Sequence, residues 1–214
     1  MSKNFLIFLV IAALLLGGGA WYRYRMNAAD SRGATKLMRS FEQDTDKRAM
    51  MRLIRHTENV NERDKAGQTA LFYAVEHKAD LEIIRHLLRM GADATMTDKQ
   101  GRTVLMPAIR QENAPELVDL FLAAGVDINA VDKKGQTALL IAAEHASPAV
   151  VKKLLRAGAD PDLAAADGKT AAELLEANER FSKEEKDNFR QALIVLSIIG
   201  PLPRVAPVQS SSAM

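Results

Sequence analysis

The sequence predicts an all-α solenoid of stacked helix-turn-helix repeats with short β-turn tips, set behind an N-terminal transmembrane helix. Three observations carry this. One phrase returns four times, as DKAGQTALFYA from Asp64, DKQGRTVLMPA from Asp98, DKKGQTALLIA from Asp132 and AADGKTAAELL from Ala165. Its threonines, Thr69, Thr103, Thr137 and Thr170, are 34, 34 and 33 residues apart, a period that marks repeats which bury their cores only by stacking. A second series, GAD at Gly91, GVD at Gly125 and GAD at Gly158, keeps the same step. The third observation is an uncharged stretch from Phe5 to Tyr22.

That stretch comes first in the chain. Eighteen residues rising about 1.5 Å each span roughly 27 Å, close to the hydrocarbon thickness of a bilayer. Trp21, Tyr22 and Tyr24 with Arg23 and Arg25 suit the membrane edge. A cleaved secretory signal is the competing reading, with Lys3 as charged start, Phe5 to Leu16 as apolar core and Gly18, Gly19, Ala20 as cleavage site. The arginines just beyond the cut favour an uncleaved single-pass anchor in the cell (inner) membrane. Arg23, Arg25, Arg32, Lys36 and Arg39 outnumber the charges ahead of the span, so the positive-inside rule favours cytoplasmic repeats. Short N-terminal anchors that leave the bulk of a chain outside keep the periplasmic side open.

Each repeat reads as turn, short helix, loop, longer helix. Gly67 suits a turn needing positive φ, and Thr69 is placed to cap the next helix through its side-chain oxygen. In that helix Leu71, Ala74 and Val75 recur at helical spacing, with small Ala74, Ala108 and Ala142 allowing close approach. The second helices carry Ile83, Ile84, Leu87 and Leu88, then Leu117, Val118, Phe121 and Leu122, then Val150, Val151, Leu154 and Leu155. Gly91, Gly125 and Gly158 are expected as their C-terminal caps. One period back, Gly33, Thr35 and Leu37 mark a worn first repeat, with its second helix from Ala49. Pro107 stands four residues after Thr103, where an N–H should pair with the capping carbonyl; a proline tolerated in the first turn is the expected reading, with a slightly strained second copy that distorts the binding surface as the alternative. After Leu175 the pattern departs. Ser182 and Glu185 are in capping-box spacing and open a terminal helix to about Leu196. The apolar run Ala192 to Ile199, too short for a bilayer, is expected to pack in this end cap, with a dimer or partner contact as the alternative. The Pro- and Ser-rich tail from Pro201 reads as disordered.

Residue types, spacing and repetition together resemble the ankyrin repeat family over roughly residues 33 to 196. The family's TPLH box is worn, with Ala70, Val104 and Ala138 in place of Pro and Phe72, Met106 and Leu140 in place of His. The division is a signal-anchor over 1–25, a linker over 26–32, an ankyrin repeat domain over 33–199 and a tail over 200–214. Repeats fall at about 33–63, 64–97, 98–131 and 132–164, with a C-terminal cap at 165–199. The resemblance implies protein binding at the variable first-helix positions Tyr73, Glu76, His77, Pro107, Arg110, Gln111, Ile141, Glu144 and His145. It is also similar to small bacterial ankyrin proteins with an N-terminal membrane segment, some tied to oxidative-stress defence or toxin neutralisation.

Composition narrows function further. With 29 basic and 27 acidic residues, a net charge of +2 is too balanced for an electrostatic nucleic-acid binder. Lys65, Lys99, Lys133, Lys134 and Lys169 recur at the turn tips, where neighbouring aspartates are expected to cancel most of their field. The absence of cysteine excludes disulfides and a thiolate nucleophile, and permits either compartment. The histidines are His56, His77, His86 and His145, with no HExxH; the pairs Glu76–His77 and Glu144–His145 sit two repeats apart, too far to share a reacting atom. No GxSxG or phosphate-binding loop occurs. The expected function is therefore a membrane-tethered protein-binding scaffold, not an enzyme, with no cofactor, metal or small-molecule substrate. The alternative is an exported, periplasmic protein acting in stress protection or as a toxin-neutralising immunity protein.

Overall fold

The computed structural model describes residues 30–43 and 46–199. The Phe5–Tyr22 stretch and the 200–214 tail lie outside the described residues; among those described, no helix is long and apolar enough to cross a membrane. Ten helices and no strand run through them: α1 Lys36–Glu42, α2 Lys47–Arg55, α3 Ala70–Glu76, α4 Leu81–Arg89, α5 Leu105–Ala108, α6 Ala114–Ala123, α7 Ala138–His145, α8 Pro148–Arg156, α9 Ala171–Ala177 and α10 Lys183–Ile199. They form two layers. The short helices α1, α3, α5, α7 and α9 pack in series as an inner row, and α2, α4, α6 and α8 back them. Apolar residues meet between the layers in one continuous core, in which Leu71, Ala74, Ile84, Ala108, Leu117, Ala142 and Leu154 are fully buried.

Each inner helix begins at the repeated threonine. Thr35, Thr137 and Thr170 accept a hydrogen bond at Oγ1 from the N–H three residues on. Thr69 makes no such bond, and its buried Oγ1 has no partner at all. Capping by the side chain thus fails in the first full copy, although the helix still starts there, because Tyr73 N–H reaches the Thr69 carbonyl at 3.1 Å. Thr103 does not cap either. Proline at 107 has no N–H to give the Thr103 carbonyl, a bond made at 3.1 Å by Ile141 to Thr137 and by Leu174 to Thr170. The helix start slips by one residue, to an N-cap at Val104, and only Met106 N–H reaches the Thr103 carbonyl, at 3.2 Å. The slip moves Pro107 into the first turn, where amides lack intrahelical partners anyway. α5 is left with four residues, against seven in α3 and eight in α7.

The outer helices end as expected. Gly91, Gly125 and Gly158 take φ of 89°, 88° and 93°. After α4, Gly91 N–H bonds the Leu88 carbonyl and Ala92 N–H the Leu87 carbonyl, each at 3.0 Å, the paired bonds of a Schellman stop. α2 starts at Lys47, two residues before the expected Ala49, because the Asp46 carboxylate accepts from the N–H groups of Arg48 and Ala49.

The tips are joined by a ladder that ties each turn to the one before it. Lys65 N–H donates to Arg32 O, Lys99 to Ala66 and Lys133 to Gln100, each at 2.8 Å, and Ala166 to Lys134 at 3.0 Å. Close stacking explains one glycine in particular: a Cβ on Gly135 would lie 2.5 Å from Ala166 N. The loops behind are bridged by amides, Asn61 to Gly91 O and Asp93 N–H, and Asn129 to Gly158 O and Asp160 N–H.

At the C-terminal end α10 packs on α9, opened by the Ser182–Glu185 capping box. Phe181 and Phe189 meet edge to face at 5.5 Å, and Phe189 and Leu193 are buried. The apolar run is not wholly internal, however. Ile194 and Val195 are 53% and 52% exposed, since the helix turns them away from the face held by Phe189 and Leu193.

Candidate partner-binding face

Tips and inner helices share one face of the stack, and a pattern of three columns builds it. The tip aspartates form the first. Asp64, Asp98 and Asp132 accept at one carboxylate oxygen from backbone N–H groups of their own turns. Their second oxygens diverge: Asp64 takes the Tyr73 hydroxyl at 3.0 Å and Asp98, with a fully buried side chain, takes Arg102 Nε at 2.7 Å. The aspartates are therefore engaged within their own turns and make no direct pair with most of the tip lysines. Among the described residues the ammonium groups of Lys65, Lys99, Lys133 and Lys134 form no ion pair, whereas Lys169 pairs with Asp167 at 3.0 Å.

The second column is the residue just before each threonine, Gln68, Arg102, Gln136 and Lys169. The third lies seven residues after each threonine, at Glu42, Glu76, Arg110, Glu144 and Ala177. These two columns meet across the repeat boundary. Glu76 accepts from Gln68 of its own repeat at 2.9 Å and from Arg102 of the next at 3.1 Å. Two repeats further on, hydrogen bonding and charge from Asp167, together with the charge of Glu144, hold the Lys169 ammonium above its usual pKa. Glu144, Asp167, Lys169, Glu173 and Asn178 line an open cleft of about 650 Å³ there.

The nine expected contact residues divide on this face. Glu76, His77, Arg110 and Glu144 are exposed, and Pro107, Gln111 and His145 partly so. Tyr73 and Ile141 are buried, at 5% and 6% exposure. Tyr73 stacks on His77 with ring centroids 6.1 Å apart, and burial, then the Asp64 hydrogen bond, pushes its phenol up to about 12. Its aromatic surface is not offered to a partner. Gln111 is also engaged within the fold: its amide donates to the Val75 carbonyl at the end of the preceding inner helix. Asn178, in the corresponding place of the last repeat, does the same to Ala143 at 2.8 Å. His145 Nε2 lies 3.4 Å from Glu144, so this pair turns toward itself.

Among the described residues no group of three or more His, Cys, Asp or Glu side chains can hold a metal. His86 is the histidine in an unusual setting. Its Nε2 is buried without a partner on α4, and burial, then the charges of Arg89 and Arg55, lower its pKa. Sequence reading passed over Gln68 and Arg102, although their column varies within an otherwise constant phrase, which was the available signal.

The family model for "Ankyrin repeats (3 copies)" matches this sequence over residues 8–98 and again over 75–165. The fold is similar to the crystal structure of an ankyrin repeat domain from Acinetobacter baumannii AYE, at 31% identity and a TM-score of 0.64, over 80% of this chain and 86% of that one. No curated protein matches.

Proposed function

We propose, from the premise that this chain belongs to the ankyrin repeat family, that it is a membrane-tethered scaffold binding a partner protein on the face formed by its tips and inner helices. Ankyrin repeats are in general protein–protein interaction modules. The observation that carries the reading here is the third column: Glu76, Arg110 and Glu144 stand exposed at one place on three successive repeats, on a backbone fixed by the tip ladder. A rigid row of differing polar groups suits recognition of an extended surface. The polar groups meet each other in pairs and do not converge on one reacting atom, so the reading is non-enzymatic. The tether rests on the uncharged Phe5–Tyr22 stretch and its aromatic and arginine flank.

Cross-linking in intact membranes followed by pull-down tests both parts. A partner recovered with the wild-type chain should be lost from an Arg110→Ala, Glu144→Ala variant that keeps its circular dichroism, and the chain should fractionate with membranes. Full recovery by the double variant would remove the face from consideration. A second reading is supported by Gly18, Gly19 and Ala20, small residues of the kind a signal peptidase accepts: an exported ankyrin protein serving stress protection or toxin neutralisation in the periplasm. A soluble mature chain starting at Trp21 on N-terminal sequencing would establish that reading over the anchor.

A further inference from the structure

We infer that Arg110 is the seat for a single partner carboxylate, carried on an extended segment whose neighbouring positions are basic or uncharged; the inference rests on the scaffold reading above. Arg110 interrupts the pairing of the two columns. Where the third column holds Glu76, the next repeat presents Arg102, and the two join at 3.1 Å. Where it holds Glu144, the next repeat presents Lys169, whose ammonium feels that charge. Opposite Arg110 the same register brings Gln136, an amide without negative charge. Among the described residues the Arg110 guanidinium has no hydrogen-bond or ion-pair partner, as is also true of several arginines on the outer row, whereas Arg102 on the same face is held by Asp98 and Glu76.

The flanks set the pattern of the ligand. Glu76 and Glu144 stand one repeat step to either side of Arg110, about 10 Å at usual helix-packing distances. An extended peptide rises about 3.3 Å per residue, so each step corresponds to about three residues. A carboxylate on Arg110 is matched by a planar fork that binds carboxylates in bidentate fashion. Further acidic residues three positions away would meet Glu76, already held by Arg102, or Glu144, beside His145 and Lys169, and would find no free guanidinium there. A polyanion such as a nucleic-acid strand would set its further charges opposite groups that are already paired, so a lone Asp or Glu of a protein segment fits this row better.

The test selects a displayed library of linear twelve-residue peptides against the full chain in detergent, then measures affinity and maps the footprint by hydrogen exchange. The enriched peptides are expected to share one Asp or Glu, and either its amide analogue or Arg110→Gln should weaken binding at least tenfold. Arg110→Glu paired with an acid-to-Lys peptide should restore binding, which guards against a misfolded variant. Loss of affinity with rising salt is expected as well. Peptides that protect the tips and inner helices yet lack an acidic residue, carry acidic tracts, or ignore Arg110→Gln overturn the Arg110 assignment and leave the scaffold reading in place. Peptides that protect only α2, α4, α6 and α8, or no enrichment at all, count against both. Tight binding of single-stranded DNA at the same face also overturns the assignment.

Discussion

Thr69 and Thr137 occupy the same place in near-identical phrases, yet one hydroxyl caps a helix and the other is buried without a partner. Thr137→Ala should therefore cost about 1 kcal/mol in denaturant unfolding, the usual worth of an N-cap. Thr69→Val should be neutral or stabilising, because it replaces an orphan hydroxyl with a methyl group. Equal losses would show that Thr69 caps in solution. A rotamer choice of this kind leaves no trace in sequence. His86 offers a second residue-scale test. Its folded pKa lies below the ordinary value, through burial first and then Arg89 and Arg55. A base depressed in the fold stabilises fully above its unfolded pKa, about 6.5, and that contribution is lost as pH falls through the folded value. His86→Leu, which copies the equivalent Leu120, should flatten the fall in melting temperature between pH 6.5 and pH 5. An unchanged slope would assign the acid sensitivity to other groups.

At the scale of elements, α5 is the exception in a regular row, and Pro107 is the cause. The sequence placed the missing bond correctly, since register and the chemistry of proline suffice for that; the one-residue slip that accommodates it depends on which amides the turn can leave unpaired. Replacing Pro107 with the isoleucine of the next repeat should restore the bond to Thr103 and lengthen α5. The gain in stability should be about 1 kcal/mol or less, because the bond is offset by a freer unfolded chain. Hydrogen exchange should show a newly protected amide at position 107; fast exchange there would mean the helix start remains at Val104. Contact residues were less legible than helices. Variability at Tyr73 and Ile141 reads as exposure in one dimension, but stacking buries these positions, and only the pairing of columns across repeats reveals Arg102 as a partner of Glu76.

The whole stack follows from a repeated small residue and a repeated ladder. Ala74 and Ala108 are fully buried where inner helices meet, so Ala74→Leu or Ala108→Leu should destabilise by about 1 to 3 kcal/mol, while exposed Lys99→Ala should change stability by less than about 0.5 kcal/mol. Similar melting shifts for the two classes would contradict the packing described. Period and glycine placement made the solenoid readable from sequence. The tip ladder was not, because its donors and acceptors are backbone groups common to every residue. Nor was the split at the C-terminal end, where two successive turns of α10 bury Phe189 and Leu193 and leave Ile194 and Val195 exposed.

The central claim is that the tips and inner helices form the surface that meets a partner protein. The most direct measurement places a photo-reactive amino acid at Gln136 or Glu144 on that face, and at Arg85 or Arg156 on the outer row, and compares protein adducts in living cells. A discrete adduct from the first pair, weakened by Arg110→Gln and absent from the second pair, is the expected result. Adducts confined to Arg85 and Arg156 would contradict the account.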